Sequence, residues 1–293
     1  MRARIAVFGP TAVGKTKFAI ELARKVGGEI VNADAVQLYR GFDRGSAKPS
    51  LAEQGGVAHH LLDIADPEMP VSVALYQEIA EKVMVEIERR GAVPIVTGGS
   101  GLFLRAAMGE WDDFGAPPNP EVRRWAASVD VAQVCDRAMS VDPAAAGRLS
   151  PGDRPRLVRV IERALSPRTT ASRGLRARFL KIGLQRPRPE LYARIDARAA
   201  LLFPALSEET PRLIARGEAA EVLVRRTLGY REAARAMDGE LSPEEALAVL
   251  RQGTRRLAKR QLSWWRGEAN AIWVRPDDGI GQLGPTLVGH CSR

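Results

Sequence analysis

Gly9-Pro10-Thr11-Ala12-Val13-Gly14-Lys15-Thr16 fits the spacing G-x-x-x-x-G-K-[ST] and sits between an apolar run and an amphipathic stretch. Residues of these types at this spacing cradle phosphate. The glycines allow tight curvature, so successive backbone N–H groups converge on phosphate oxygens, and the start of the next helix adds positive potential. Lys15 adds a full charge, and Thr16 offers a hydroxyl to Mg²⁺. Such a loop holds a diphosphate whatever the diphosphate is attached to. Two further loops bring polar groups. Asp34, in Asn32-Ala33-Asp34-Ala35-Val36-Gln37, suits a general base or a magnesium ligand, and equally a turn. Gln37 can pair with an adenine edge through its amide. Ser100, in Gly98-Gly99-Ser100-Gly101, can cap a helix or bond a ligand. His59 and His60 lack a third ligand at metal spacing and read as structural.

The elements that position these loops alternate. Ile5–Phe8 forms a strand, and Phe18, Ala19, Leu22, Ala23 and Val26 make the stripe of a helix stopped at Gly27-Gly28. Glu29–Asn32 forms a second strand. Val71–Arg90 is an amphipathic helix that Ser72 can cap, and Ala92–Thr97 is a third strand. Strand-helix alternation predicts an α/β fold with a parallel sheet and ligands at the C-terminal strand ends. With the phosphate loop, the expected fold is a P-loop NTPase-like core. Gly115-Ala116-Pro117-Pro118-Asn119-Pro120 then signals a linker, and residues onward to Arg188 read as helical, Ala- and Arg-rich and without strand runs. The expected division is therefore a core of 1–110 and 189–293 with a helical insertion of 111–188. A long helix spans roughly Ser242–Trp265, with Ala271–Val274 as a last strand. Pro211 should break or restart a helix.

The chain has 293 residues, a hydrophobic content of 45% and two cysteines far apart, Cys135 and Cys291. That suits a packed, reduced cytoplasmic protein without a disulfide framework, and no apolar stretch is long enough to span a membrane. The net charge is +9, yet Arg154–Arg188 alone carries ten Arg and one Lys against a single acid, Glu162. That segment is +10 and the remainder −1, a bias that attracts polyanions.

Taken in order, Gly9–Thr16, Ala33–Asp43, Ser46-Ala47-Lys48-Pro49, His59–Ile64, Gly98–Phe103, Asp153–Arg159, Leu228–Glu232 and Ala258–Trp264 resemble bacterial tRNA dimethylallyltransferases. The resemblance covers most of the chain. It implies transfer of a dimethylallyl group from dimethylallyl diphosphate to N6 of the adenine 3′ of the anticodon, position 37. It implies diphosphate binding by Gly9, Pro10, Thr11, Ala12, Val13, Gly14, Lys15 and Thr16, with Thr16 on Mg²⁺. Asp34 is then the base, and Ser100 contacts the target adenine or its ribose. Asp34, Ala35, Val36, Gln37, Ser100, Arg123, Pro155, Arg156, Leu157, Val158, Arg159, Lys259 and Arg260 are the implied tRNA contacts. The partners implied are the tRNA anticodon stem-loop and dimethylallyl diphosphate, with no membrane, and the expected assembly is a monomer. The sequence departs from the family pattern at Ala35, Ser100, Phe103 and Pro155.

Two other readings use the same loop. A small-molecule kinase accounts for Lys15, Thr16 and Asp34 but leaves the +10 segment idle. An RNA-dependent NTPase would bring an acid at the end of the third strand, where this chain has Thr97-Gly98-Gly99.

Overall fold

The computed structural model describes residues 4–110, 118–166, 178–268 and 270–284. Two compact units form, one from 1–110 with 176–293 and the other from 111–175. The larger is built on a six-stranded sheet in the order β3-β2-β4-β1-β5-β6, with every pairing parallel. Its strands are β1 (Arg4–Phe8), β2 (Gly28–Asn32), β3 (His59–His60), β4 (Val93–Thr97), β5 (Phe179–Leu184) and β6 (Ala271–Val274). Strand β1 is buried throughout because neighbours flank it on both edges. Parallel register aligns the C-terminal ends, so the phosphate loop after β1, the Asp34 loop after β2 and the Gly98–Ser100 turn after β4 emerge side by side.

The helices of this unit that precede β5 are α1 (Lys15–Val26), α2 (Leu51–Gln54), α3 (Val73–Arg89) and α4 (Gly101–Ala107). Phe18, Ala19, Leu22 and Ala23 of α1 pack into one core with Ile5, Val7, Ile30 and Ile95 of the strands. Helix α3 starts where Ser72 Oγ accepts from Leu75 N–H, and it buries Tyr76, Ala80, Met84 and Ile87. The smaller unit holds α5 (Pro120–Ser128), α6 (Val131–Val141), α7 (Pro143–Ala146) and α8 (Arg154–Leu165). Asn119, Asp130, Asp142 and Asp153 cap these helices in turn, and Val122, Ala126, Val134, Ala138, Leu157, Val160 and Ile161 form its core. The chain then returns through α9 (Arg188–Ile214), α10 (Glu218–Arg226), α11 (Tyr230–Met237) and α12 (Pro243–Trp265).

Two expectations are corrected. Residues 111–188 are not helical throughout: Phe179–Leu184 is β5, paired to β1 and β6, and the compact helical unit ends at 175. Lys181 and Gly183 interrupt the apolar run that would have marked it. His59-His60 forms a two-residue edge strand on β2. Pro211 does not break its helix, since α9 runs through both Pro204 and Pro211. Both prolines lie on the exposed side, opposite buried Ala205, Leu206 and Leu213, where a carbonyl that loses its helical partner is hydrated. Residues 115–117 of the linker signal, Cys291, and 167–177 of the basic run lie outside the described residues.

Candidate active site

The phosphate loop turns at Gly9, whose φ is 148° and where an added Cβ would stand 2.6 Å from the Leu184 carbonyl oxygen. Only glycine fits there. Three side chains from distant elements fix the loop backbone. Gln261 Oε1 of α12 accepts from Thr11 N–H at 2.8 Å, Arg194 Nε of α9 donates to the Ala12 carbonyl at 2.9 Å, and Arg186 Nε donates to the Val13 carbonyl at 2.9 Å. Arg186 is itself held by Asp277 and Glu190. Lys15 Nζ turns back onto the loop, donating to the carbonyls of Gly9 at 3.0 Å and Pro10 at 2.9 Å. These are weak partners for an ammonium, and an arriving anion displaces them.

Across from the loop, Asp34 is set by backbone. Its N–H donates to Asn32 Oδ1 at 3.1 Å, and its Oδ1 accepts from Val36 N–H at 3.0 Å. Asn32 is anchored in turn by donating Nδ2 to the Leu61 carbonyl at 3.1 Å, while Tyr76 donates its hydroxyl to the Asn32 carbonyl at 2.9 Å. Gly98 lets the β4 end pass beneath this segment, since a Cβ there would lie 2.2 Å from the Ala33 carbonyl. Ser100 stands at the N-terminus of α4 yet makes no capping bond; its Oγ accepts from Ala35 N–H at 3.0 Å. Its proton remains to be donated into the cavity. Gln261 joins the two sides, because its Nε2 donates to the Gly99 carbonyl at 2.7 Å while its oxygen holds Thr11.

Lys15, Thr16, Asp34, Gln37, Ser100 and Arg198 line one cavity of about 750 Å³, together with Leu202, Leu206, Leu250 and Leu257. Although part of Lys15 remains accessible from this cavity, protein surrounds its ammonium. Burial pulls its pKa from 10.5 to about 7; Arg198 pushes the same way and Asp34 opposes. Burial likewise lowers Arg198, with Asp34 opposing and Arg194 adding. The Tyr76 hydroxyl is raised, by burial first and then by the Asp34 charge. Lys15 and Arg198 thus share a poorly hydrated space with one carboxylate. Such a site favours a multiply charged anion beside a group that gives up a proton.

The sequence model of the family described as IPP transferase matches residues 37–268. The chain is 41% identical to the tRNA dimethylallyltransferase of Syntrophobacter fumaroxidans, across 94% of this chain and 84% of that protein. It is 42% identical to the protein of the same name from Thermomicrobium roseum, across 92% and 85%. The chain belongs to the IPP transferase family. The crystal structure of tRNA isopentenylpyrophosphate transferase from Bacillus halodurans superposes with a TM-score of 0.75 at 33% identity, covering 100% of this chain and 97% of that one. A eukaryotic dimethylallyltransferase acting on tRNA shares the fold, with a TM-score of 0.83 at 21% identity, covering 100% and 80%.

Within this family member the cavity brings together Lys15, Thr16, Asp34, Val36, Gln37 and Ser100. Gln37 lines the cavity with its amide bonded on one side. Its Nε2 donates to the carbonyls of Ser46 at 3.2 Å and Ala47 at 3.1 Å, leaving its oxygen as acceptor. Lys259 and Arg260 are exposed on α12 and do not line the cavity. In the helical unit, Leu157 is fully buried and Val158 packs against the same core, so these two serve packing. Arg123 and Arg159 converge on Glu162, which is 1% exposed, at 2.7 and 3.0 Å. Those bonds and the Asn119 N–H hold the Glu162 carboxyl below its ordinary pKa against the cost of burial. Pro155 and Arg156 are exposed, and Arg156 makes a 3.1 Å pair with Asp153.

Sequence reasoning missed Arg194, Arg198 and the bridging role of Gln261. Arg194 and Arg198 are four residues apart on a helix that also buries Leu191, Ile195 and Ala199, so they share its inner side. That spacing was the available signal. His59 Nδ1 faces the Val57 carbonyl at 2.9 Å and His60 pairs with Glu29 at 2.6 Å. Among the described residues no cluster of three His, Cys, Asp or Glu could hold a metal, and no helix is long and apolar enough to cross a membrane.

Proposed function

We propose that this chain transfers the dimethylallyl group of dimethylallyl diphosphate to N6 of the adenine at tRNA position 37, just 3′ of the anticodon, in the cytoplasm. The observation that carries this reading is one cavity in which the Lys15 loop and the Asp34 carboxylate act on each other electrostatically. In the reaction the N6–C1 bond forms, the C1–O bond to diphosphate breaks, and one N6 proton leaves. An exocyclic adenine amine is a weak nucleophile because its lone pair is delocalised into the ring. Asp34 accepts the departing proton, while loop N–H groups, Lys15 and Arg198 stabilise the charge growing on the leaving diphosphate. Ser100 donates its free proton to the incoming adenosine, and the leucine-lined wall receives the dimethylallyl group. The adenine leaves its stack to enter, at a cost of about a few kcal/mol.

The residues present fit a magnesium ion that arrives with the diphosphate. The Thr16 side chain is exposed to the cavity, and the Thr97 hydroxyl is buried without a partner. When bound, the ion neutralises diphosphate oxygens and so helps the group to leave. Arg156 and other exposed cations of the helical unit contact tRNA phosphates in this reading.

Incubation with unmodified tRNA, dimethylallyl diphosphate and Mg²⁺, followed by nucleoside mass spectrometry, tests the reading. Adenosine at position 37 heavier by one prenyl group is the expected product. Hydrolysis of ATP, or phosphate transfer from it, with no prenylated nucleoside would overturn the proposal in favour of a kinase or an NTPase.

A further inference from the structure

Thr97 is the last residue of β4, the strand beside β1, and it stands opposite Val7 in the register. Paired residues of a parallel sheet project from the same face. The preceding pair on that face, Ile5 and Ile95, lies in the core beneath α1, so Thr97 sits on the side of the phosphate loop. The residue is 8% exposed, and its buried hydroxyl has no hydrogen-bond partner, yet Thr97 lines the same cavity as Lys15 and Thr16. A buried orphan hydroxyl costs about 1–3 kcal/mol unless something not present in the free protein satisfies it.

In phosphate-loop NTPases this end of the neighbouring strand carries an acid that helps the loop Ser/Thr hold magnesium. Here the position has a neutral hydroxyl, and the next residues, Gly98 and Gly99, offer only backbone. We propose that Thr97 is a positioning residue for the metal: its hydroxyl accepts a hydrogen bond from a water of the magnesium ion that enters with the diphosphate. Because the residue is uncharged, the protein has little affinity for the ion alone, and the metal site is completed only by the diphosphate oxygens. Magnesium keeps several of its waters, so a hydroxyl acting through water suits its chemistry.

This inference rests on the reading of the loop as a diphosphate site, and calorimetry of the full chain with inorganic pyrophosphate separates the two. Titrations run in EDTA and in excess magnesium chloride, on the wild type, Thr97→Val and Thr97→Ser. Magnesium should tighten pyrophosphate binding to the wild type. T97V should lose roughly three- to tenfold of affinity in the magnesium arm alone, the scale of one hydrogen bond, and T97S should restore it. The free T97V protein should melt no lower than wild type, since the hydroxyl it loses is unpartnered. An equal loss in both arms would mean direct contact with phosphate, and no loss in either would mean a packing role; each overturns the inference. So would a wild type that binds pyrophosphate equally in both arms. A wild type that binds no pyrophosphate at all would overturn the diphosphate reading itself.

Discussion

The cavity and the helical unit treat their charged groups in opposite ways. In the helical unit Arg123 and Arg159 close on buried Glu162, Arg156 pairs with Asp153, and Arg154 donates to the Ala126 carbonyl. In the cavity, Lys15 hydrogen-bonds only backbone carbonyls, the Asp34 carboxylate accepts a hydrogen bond only from the Val36 N–H, and Arg198 has no ion pair within 4 Å among the described residues. One region has completed its electrostatics in the free protein and the other has deferred them. The difference teaches where density of charge is functional. Among the described residues of the basic run, several cations are held within the fold: Lys181 pairs with Glu110 and Glu268, and Arg186 with Asp277 and Glu190.

The comparison breaks most directly at Asp34. Asp34→Asn keeps the shape and the Val36 contact but removes the base, so single-turnover prenylation should fall by about 10²–10⁴-fold. Pyrophosphate affinity measured by calorimetry should hold within about twofold, since the substitution removes no phosphate donor. Lys15→Met should act the other way, weakening pyrophosphate binding by roughly 10–100-fold, the scale of a charge-assisted bond.

In the helical unit the corresponding cut is Glu162→Gln. It leaves two arginines facing a neutral amide, and thermal or urea unfolding should show a loss of about 1–3 kcal/mol. Pyrophosphate binding, which uses only the other unit, should not change.

The deferred charge of Lys15 also makes a pH prediction. Its folded pKa of about 7 lies below its ordinary 10.5, so the free protein binds fewer protons than the unfolded chain between those values. From this group alone, stability rises with pH across that window. A bound diphosphate restores the proton, so pyrophosphate affinity should fall above about pH 7, by up to about tenfold per unit. Calorimetry in buffers of different ionisation enthalpy should show proton uptake in wild type and none in K15M.

The smallest effect belongs to Arg156. Replacing it by Gln should leave the melting temperature unchanged and reduce the slope of log tRNA affinity against log salt by about 0.7. Arg159→Gln, in contrast, should lower stability. If both variants behaved alike, the contrast between the two regions would be lost within the unit itself.

Much of this organisation was legible in sequence wherever period and punctuation agree. The phosphate loop announces itself by spacing, α3 by its stripe and Ser72, α12 by Ser242 and its length, and β6 by four apolar residues. Strand β5 was hidden because Lys181, neutralised by two carboxylates, and Gly183 dilute its pattern. Continuity of α9 through Pro211 depends on which side faces water, which local sequence does not report. Arg194 and Arg198 went unmarked because an arginine's destination is set by what packs above it. Ser100, read as a cap or a ligand contact, props the Ala35 backbone with its hydroxyl rather than capping α4, a choice made in three dimensions.

Gln261 has a consequence for the order of assembly. Its partners Thr11 and Gly99 lie 250 and 162 residues earlier in the chain. During synthesis, at roughly 5–20 residues per second, the phosphate loop leaves the ribosome well before the helix that clamps it. A nascent chain therefore carries the loop without this clasp until α12 has emerged. Truncation just before α12 should leave the loop without its clasp and the sheet without β6.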